Sequence, residues 1–144
     1  MTNILKSIIL YGARSYDRKN PQIKRCYTSC ISDAIQAVEV LGRTYEYGTK
    51  LSSLYQKVCS ESQASSENKD LQDLNKNALK QVLASGALFQ TVRNYFERDN
   101  DLGAVTRSTK DMETQIEQTK TSLMLFMDKL AEAIPPTNTE RLPA

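Results

Sequence analysis

The side chains of this sequence that could do chemistry are its carboxylates, thiols and phenols, because the 144 residues include no histidine. Histidine is the usual general base near neutral pH, so its absence removes the commonest route to acid–base and nucleophilic catalysis. Two carboxylate pairs, Asp70 with Asp73 and Asp99 with Asp101, stand at expected helix starts and turns, where capping explains them. A di-metal site of the helical-bundle kind needs Glu-x-x-His. We therefore expect no enzymatic activity, no metal site and no cofactor.

Three cysteines are present, and a helix would place Cys26 and Cys30 on one face. One CxxxC pair can form a helical-hairpin disulfide or contribute to a metal site. Free cysteine also packs as a small apolar residue, and we favour that interpretation. An odd number of cysteines without a disulfide framework is typical of a reducing compartment. We expect an intracellular location, with the cytoplasm favoured and import into an organelle left open.

The seven tyrosines are the remaining candidates, since a phenol joins a rigid apolar ring to a polar tip and suits protein interfaces. Tyr27, Tyr45 and Tyr55 fall on the main apolar stripe of a long predicted helix, so we expect them in its core. Tyr47 falls off that stripe. It is expected either at the edge of the core or in contact with a partner.

The elements that position these groups are helices. No proline occurs from Gln22 to Ile134, and this stretch is rich in Leu, Ala, Lys, Gln and Glu, which favours long helices. The sequence predicts an all-α fold, an elongated antiparallel bundle of three long helices with a short N-terminal amphipathic helix. Residues 1–20 are predicted as the N-terminal helix, residues 21–134 as the bundle and residues 135–144 as a disordered tail.

Capping and breaking residues give the expected helix boundaries. Pro21 suits the first turn of a helix of about 40 residues. Gly42 and Gly48 within it are expected to mark a kink or a close approach to another helix. The serine-rich segment 60–68 is predicted as a connection. Asp101 is a predicted N-cap for one last helix of about 30 residues.

The last helix carries a heptad repeat, which is typical of a seam between helices. Its members are Met112, Ile116, Thr119, Leu123, Phe126, Leu130 and Ala133. Met124 and Met127 lie beside the seam and would supply adaptable apolar surface. The periodicity leaves open whether the seam pairs within the chain or across a dimer. The candidate partner interface comprises Tyr47, Leu123, Met124, Phe126 and Met127.

The N-terminal helix is basic. Residues 1–25 carry six Lys and Arg residues against Asp17, a net of +5, which leaves −3 of the total +2 for the rest of the chain. Three interpretations are open: the helix packs on the bundle, it is a targeting segment, or it lies on an anionic membrane. The candidate membrane contacts are Ile4, Leu5, Lys6, Ile8, Ile9, Arg14 and Arg18.

Two local strings resemble a known family. Gly42-Arg43-Thr44-Tyr45-Glu46 and, further on, Ser60-Glu61-Ser62-Gln63-Ala64-Ser65 are similar to stretches of inverse-BAR helices. A basic amphipathic helix followed by three long helices also resembles the layout of the BAR superfamily, which implies a membrane-curvature function. The faces of those domains are strongly basic, whereas residues 26–144 of this chain are net acidic.

The function predicted from these features is that of a non-catalytic helical interaction module. Such a module would be an adaptor or a subunit of a larger assembly, and would bind partner helices or itself. The alternative is a peripheral membrane-binding module of the BAR type that uses the N-terminal helix. A net charge of +2 creates no field that would recruit nucleic acid, so no such partner is expected.

Overall fold

The computed structural model describes residues 3–19 and 27–134, and within these ranges the chain is helical apart from short connections. Its helices are α1 (Asn3–Lys19), α2 (Tyr27–Glu61), α3 (Gln63–Glu67), α4 (Lys69–Glu97), α5 (Leu102–Arg107) and α6 (Thr109–Ala133). The long helices α2, α4 and α6 pack against one another, and α1 is the short N-terminal helix. The predicted fold class is confirmed. The tail predicted at residues 135–144 lies outside the described residues.

The long helices run alternately up, down and up, so α2 and α6 are parallel. On α2 and α4, Gly42 lies against Phe89 and Gly48 lies against Val82, which is an antiparallel register. After the short α5, the chain turns back along α4 to form α6. The 35 residues of α2 extend about 50 Å at 1.5 Å per residue, and this length makes the bundle elongated.

Side-chain caps begin α3, α4 and α5. Ser62, Asn68 and Asp101 each accept a hydrogen bond from the amide three residues further on, at 3.2, 3.1 and 3.0 Å. Each bond satisfies an amide of a first helical turn, which has no partner within its helix. The N-cap predicted for Asp101 is therefore confirmed, and the connection predicted at residues 60–68 contains the single turn of α3.

The prediction of one continuous helix after Asp101 is wrong at Ser108, which separates α5 from α6. The Ser108 hydroxyl donates a hydrogen bond to the Ala104 carbonyl oxygen at 2.8 Å. Serine side chains that bond the backbone in this way compete with helix propagation. Val105 of α5 is fully buried in the core.

Three glycines let α2 and α4 approach closely, and α2 runs through its two glycines without a break. The contact pairs are Gly42 with Phe89, Gly48 with Val82 and Gly86 with Tyr45. A Cβ atom added to these glycines would lie 2.9, 2.3 and 2.6 Å from the nearest atom of the partner. Of the two outcomes expected for Gly42 and Gly48, the structure shows the close approach to another helix.

Two apolar clusters fill the bundle, and a polar layer lies between them. The fully buried hydroxyls of Ser85 on α4 and Thr119 on α6 share a hydrogen bond of 2.6 Å. The side-chain amide of Gln115 donates hydrogen bonds to Thr119 Oγ1 and to Gln81 Oε1, each at 3.0 Å. Because a buried hydroxyl without a partner is costly, this layer favours one register of α4 against α6.

The heptad of α6 pairs within the chain. Met112, Thr119, Leu123, Phe126 and Leu130 are buried, and Ile116 and Ala133 are half-buried. Phe126 meets Tyr55 of α2 edge to face, with ring centroids 5.4 Å apart. Tyr55 is buried as expected, Tyr45 is half-buried against α4, and the Tyr27 side chain lies outside the described residues.

α1 docks antiparallel along the first half of α2. Lys6 Nζ lies 3.2 Å from Glu39 Oε1, and Asp17 Oδ2 accepts a hydrogen bond from the Thr28 amide at 2.8 Å. Ala13, between these two contacts in the sequence, is buried in the core. Asp17 thus satisfies an amide in the first turn of α2 from a different helix.

Replacing Gly48 with alanine should destabilise the protein, although alanine favours an isolated helix by about 1 kcal/mol over glycine. The added Cβ would overlap Val82, whose β-branched side chain has little rotamer freedom. We expect a net loss of about 1–3 kcal/mol in the free energy of unfolding, which urea titration followed by circular dichroism would measure.

The matched control is Gly103→Ala, because the nearest atom to its added Cβ is the flexible tip of Arg107. This change should leave stability unchanged or raise it. In a Val82→Ala background, Gly48→Ala should become stabilising, since the overlap is gone. A Gly48→Ala protein as stable as the parent would contradict the close approach of α2 and α4.

Stability should also depend on Tyr55 at high pH. Burial raises the pKa of the Tyr55 phenol from 10.0 to about 12, and its interaction with the Cys59 thiol adds to the shift. Because the folded-state pKa is the higher one, the neutral phenol stabilises the fold below about pH 10, and this contribution is lost as the pH rises towards 12. We expect the free energy of unfolding of the parent, relative to Tyr55→Phe, to fall over that interval. Urea titrations of both proteins across this pH range measure it, and a constant difference would refute the assignment.

Candidate functional site

The valley between the parallel helices α2 and α6 is open on its outer side. α4 packs on both of these helices from within the bundle, and α1 lies on another side of α2, where Lys6 meets Glu39. A surface groove therefore runs along α2 and α6. We call it the α2/α6 groove.

The groove has two adjoining sections, which share Val40 of α2 and Ile116 of α6. The larger section, about 430 Å³, is lined by Val40, Arg43, Thr44, Tyr47, Ile116, Lys120, Leu123, Met124 and Met127. The smaller section, about 370 Å³, is lined by Asp33, Gln36, Ala37, Val40, Glu113, Ile116 and Glu117. From Asp33 to Tyr47 the groove follows about four turns of α2, or roughly 21 Å.

Large apolar side chains are exposed along the larger section. Met124 is 52% exposed, Tyr47 49% and Met127 37%. The Tyr47 hydroxyl donates a hydrogen bond to Met127 Sδ at 2.9 Å and so links α2 to α6 across the groove. Thioether sulfur is a weak acceptor, so this bond is easily exchanged for another contact. Exposed methionines and a tyrosine beside an apolar floor are typical of protein contact surfaces.

Charged groups divide the groove along its length. Arg43 and Lys120 line the larger section, whereas Glu113 and Glu117 line the smaller one. Within the part of the chain that the structure describes, none of these four side chains forms an ion pair. The groove therefore has a basic section and an acidic section, joined by an apolar floor.

Three of the five predicted interface residues lie together in this groove as exposed side chains: Tyr47, Met124 and Met127. Leu123 reaches the groove floor but is only 5% exposed and belongs to the core. The prediction that Phe126 contacts a partner is corrected, because its side chain is 1% exposed and packs on Tyr55 inside the bundle. In a three-helix bundle the heptad positions form the core, so contact with a partner falls to the positions beside them.

The sequence-based interface did not include any residue of the smaller section, and in the larger section it missed Val40, Arg43, Thr44, Ile116 and Lys120. One signal was present in the sequence. Val40, Tyr47 and Leu54 recur at intervals of seven beside the main stripe of α2, which predicts a second, narrower apolar face. Leu54 is 42% exposed.

The residues predicted as membrane contacts all belong to α1. α1 contains Ile4, Leu5, Ile8 and Ile9, whose side chains lie outside the described residues. Lys6 pairs with Glu39, while Arg14 and Arg18 are exposed. Leu10 packs against the core.

The other chemical candidates do not assemble into a site in the described part of the chain. Cys30 and Cys59 are free thiols, and Cys26 lies outside the described residues. No group of three or more cysteine or acidic side chains in the described ranges could hold a metal ion. No described helix has the length and apolar character needed to cross a bilayer.

Comparisons with known proteins found no family model, no curated protein and no solved structure that matches this chain. The resemblance to BAR-superfamily domains therefore gains no support from them. The geometry of the groove is the basis for any functional conclusion.

Oxidation with dilute hydrogen peroxide should convert Met124 and Met127 to sulfoxides while the protein stays folded. Met112 provides an internal control, because it is fully buried whereas the other two are 52% and 37% exposed. We expect Met112 to react at least roughly tenfold more slowly. Trypsin separates the buried methionine from the exposed pair by cleavage after Lys120, and tandem mass spectrometry resolves Met124 from Met127. Equal rates at all three sites would contradict an exposed groove.

Proposed function

We propose that this protein is a non-catalytic interaction module that binds an amphipathic helix of a partner protein in the α2/α6 groove. It would serve as an adaptor or as a subunit of a larger assembly. The observation that carries the proposal is the open apolar groove between two parallel helices, with Tyr47, Met124 and Met127 exposed along it.

The shape of the groove favours a helix as the occupant. Two neighbouring helices form a valley into which a third helix packs by ridges and grooves. A helix laid along α2 and α6 would complete a four-helix arrangement around the existing core. Recognition of an amphipathic helix in an apolar groove is a recurring mode, with anchors at positions i, i+3 or i+4, and i+7. A span of about 21 Å accommodates four such turns.

The side chains around the groove support the same conclusion. Methionine is unbranched and polarisable, so Met124 and Met127 can adjust to the anchors of a partner. Tyr47 offers a ring and a hydroxyl, a combination that is enriched at interfaces. Val40 and Ile116 form a floor that stays partly open.

A partner protein is favoured over a second copy of this chain as the source of the helix. In the described ranges, the exposed large apolar side chains that do not line the groove are Tyr11 on α1, Leu54 on α2, Leu79 and Leu83 on α4, Leu125 on α6 and Ile134 after it. Leu79 and Leu83, one turn apart, line a depression of about 500 Å³ on α4 whose other lining residues are the polar Asp73, Lys76, Asn77 and Lys80. None of these sets gives a stripe long enough to fill the groove of another molecule.

The membrane-binding alternative has less support. Leu10 and Ala13 of α1 pack into the core, and Lys6 is engaged with Glu39. Membrane insertion of α1 would have to break these contacts or use only the remaining side of the helix.

Binding can be tested with a 21-residue fluorescent model peptide that is helical, uncharged on its polar face and has leucine at anchor spacing. We expect saturable binding with a dissociation constant of roughly 10–100 µM, measured by fluorescence anisotropy. Met124→Glu/Met127→Glu should weaken binding at least about tenfold, because it places charges in the desolvated contact.

The matched control is Leu83→Glu/Leu125→Glu, which changes two exposed apolar residues outside the groove and adds the same charge. It should bind like the parent, and circular dichroism should show both variants folded. No binding up to about 1 mM, or equal binding by both variants, would refute the proposal. Light scattering of the parent that shows a dimer lost in Met124→Glu/Met127→Glu would instead identify a second copy as the occupant.

A further inference from the structure

The charges beside the α2/α6 groove are segregated along its axis. Arg43 of α2 and Lys120 of α6 line the section that holds Tyr47, whereas Glu113 and Glu117 line the section closer to the start of α6. Glu113 and Glu117 precede Lys120 on α6 by seven and three residues, or about 10 and 4.5 Å along the helix axis. An occupant would therefore meet positive charge in one section and negative charge in the other.

We propose that the occupant is an amphipathic helix with an acidic N-terminal half and a basic C-terminal half, bound antiparallel to α2 and α6. This inference rests on the proposed function and adds the charge pattern and the direction of the partner helix. Its acidic half lies beside Arg43 and Lys120, and its basic half lies beside Glu113 and Glu117.

The charges of the groove indicate which charges the two halves of the occupant carry. An occupant that fills the apolar floor brings its flanking side chains next to these four charges. None of the four forms an ion pair in the described part of the chain, so each is available to the occupant. Complementary charges at the rim of an interface set register and exclude the wrong partner. Asp33 lines the acidic section as well, but it is engaged in another interaction, so Glu113 and Glu117 supply the acidic character counted here.

The helix dipole determines the direction of the occupant helix relative to α2 and α6. A helix is most stable with acidic residues near its N-terminus and basic residues near its C-terminus. When its acidic half pairs with Arg43 and Lys120, its N-terminus lies towards Met127 and its C-terminus towards Glu113. Because α2 and α6 both begin at the acidic section of the groove, the occupant runs opposite to both of them.

The test uses three 21-residue peptides with one common leucine stripe. The segregated peptide has Glu in its N-terminal half and Lys in its C-terminal half, the mixed peptide has the same residues interspersed, and the neutral peptide has Gln throughout. We expect the segregated peptide to bind roughly tenfold more tightly than the mixed peptide at low salt. This preference should shrink at about 1 M salt, where charges are screened within roughly 3 Å.

Variants of the protein separate groove electrostatics from the helicity of the free peptides. Arg43→Glu/Lys120→Glu should abolish the preference for the segregated peptide and leave the affinity for the neutral peptide unchanged. The matched control is Lys76→Glu/Lys80→Glu, which makes the same change in net charge on the exposed face of α4 and should keep the preference.

Direction is measured with a nitroxide spin label on the N-terminus of the segregated peptide. Broadening of protein NMR signals should centre on Tyr47 and Met127, and a label on the C-terminus should broaden signals around Glu113. The reverse pattern, or equal affinity of the segregated and mixed peptides, would overturn this inference while leaving helix binding intact. If the neutral peptide also fails to bind, the proposed function itself is refuted.

Discussion

The close approach of α2 and α4 is the constraint on which the rest of this structure depends. At three positions along the contact a glycine of one helix faces a large side chain of the other. Phe89, Val82 and Tyr45 fit there because any other residue in place of the glycine would have a Cβ that collides with them. A slip of α4 along α2 would move these three side chains away from the glycines that make room for them. The glycines therefore fix both the separation and the register of these two helices, and α6 packs on a frame that is already defined.

The position of α6 follows from that frame and decides where the groove lies. The buried Ser85–Thr119 hydrogen bond favours one register of α6 on α4, because a slip would separate the two hydroxyls. Thr119 would keep its bond to the Gln115 carbonyl oxygen within α6, whereas Ser85 would lose its partner on α6. With an up, down and up order, α6 becomes parallel to α2. The α2/α6 groove is thus a product of the chain topology, which places two helices side by side, and no other helix of residues 3–19 and 27–134 covers their outer valley.

Much of the framework could be predicted from local signals. The cap at Asp101, the seam from Met112 to Leu130 and the helical nature of all long segments depend on residues close together in the sequence. The break at Ser108 was not predicted, because a single serine within a helical segment is a weak stop signal beside glycine or proline. Phe126 was placed in an interface because a heptad identifies a buried face but not what buries it.

By itself the sequence determined that the chain folds into long helices, that Asp101 caps a helix and which faces are apolar, because backbone propensity and side-chain periodicity act over a few turns. It also placed Tyr47, Met124 and Met127 beside the main stripes. Only the tertiary structure decided that these three residues share one groove with Val40 and Lys120. The reason is physical: α2 and α6 are distant in sequence, and which of their side positions face each other depends on the packing of both helices against α4.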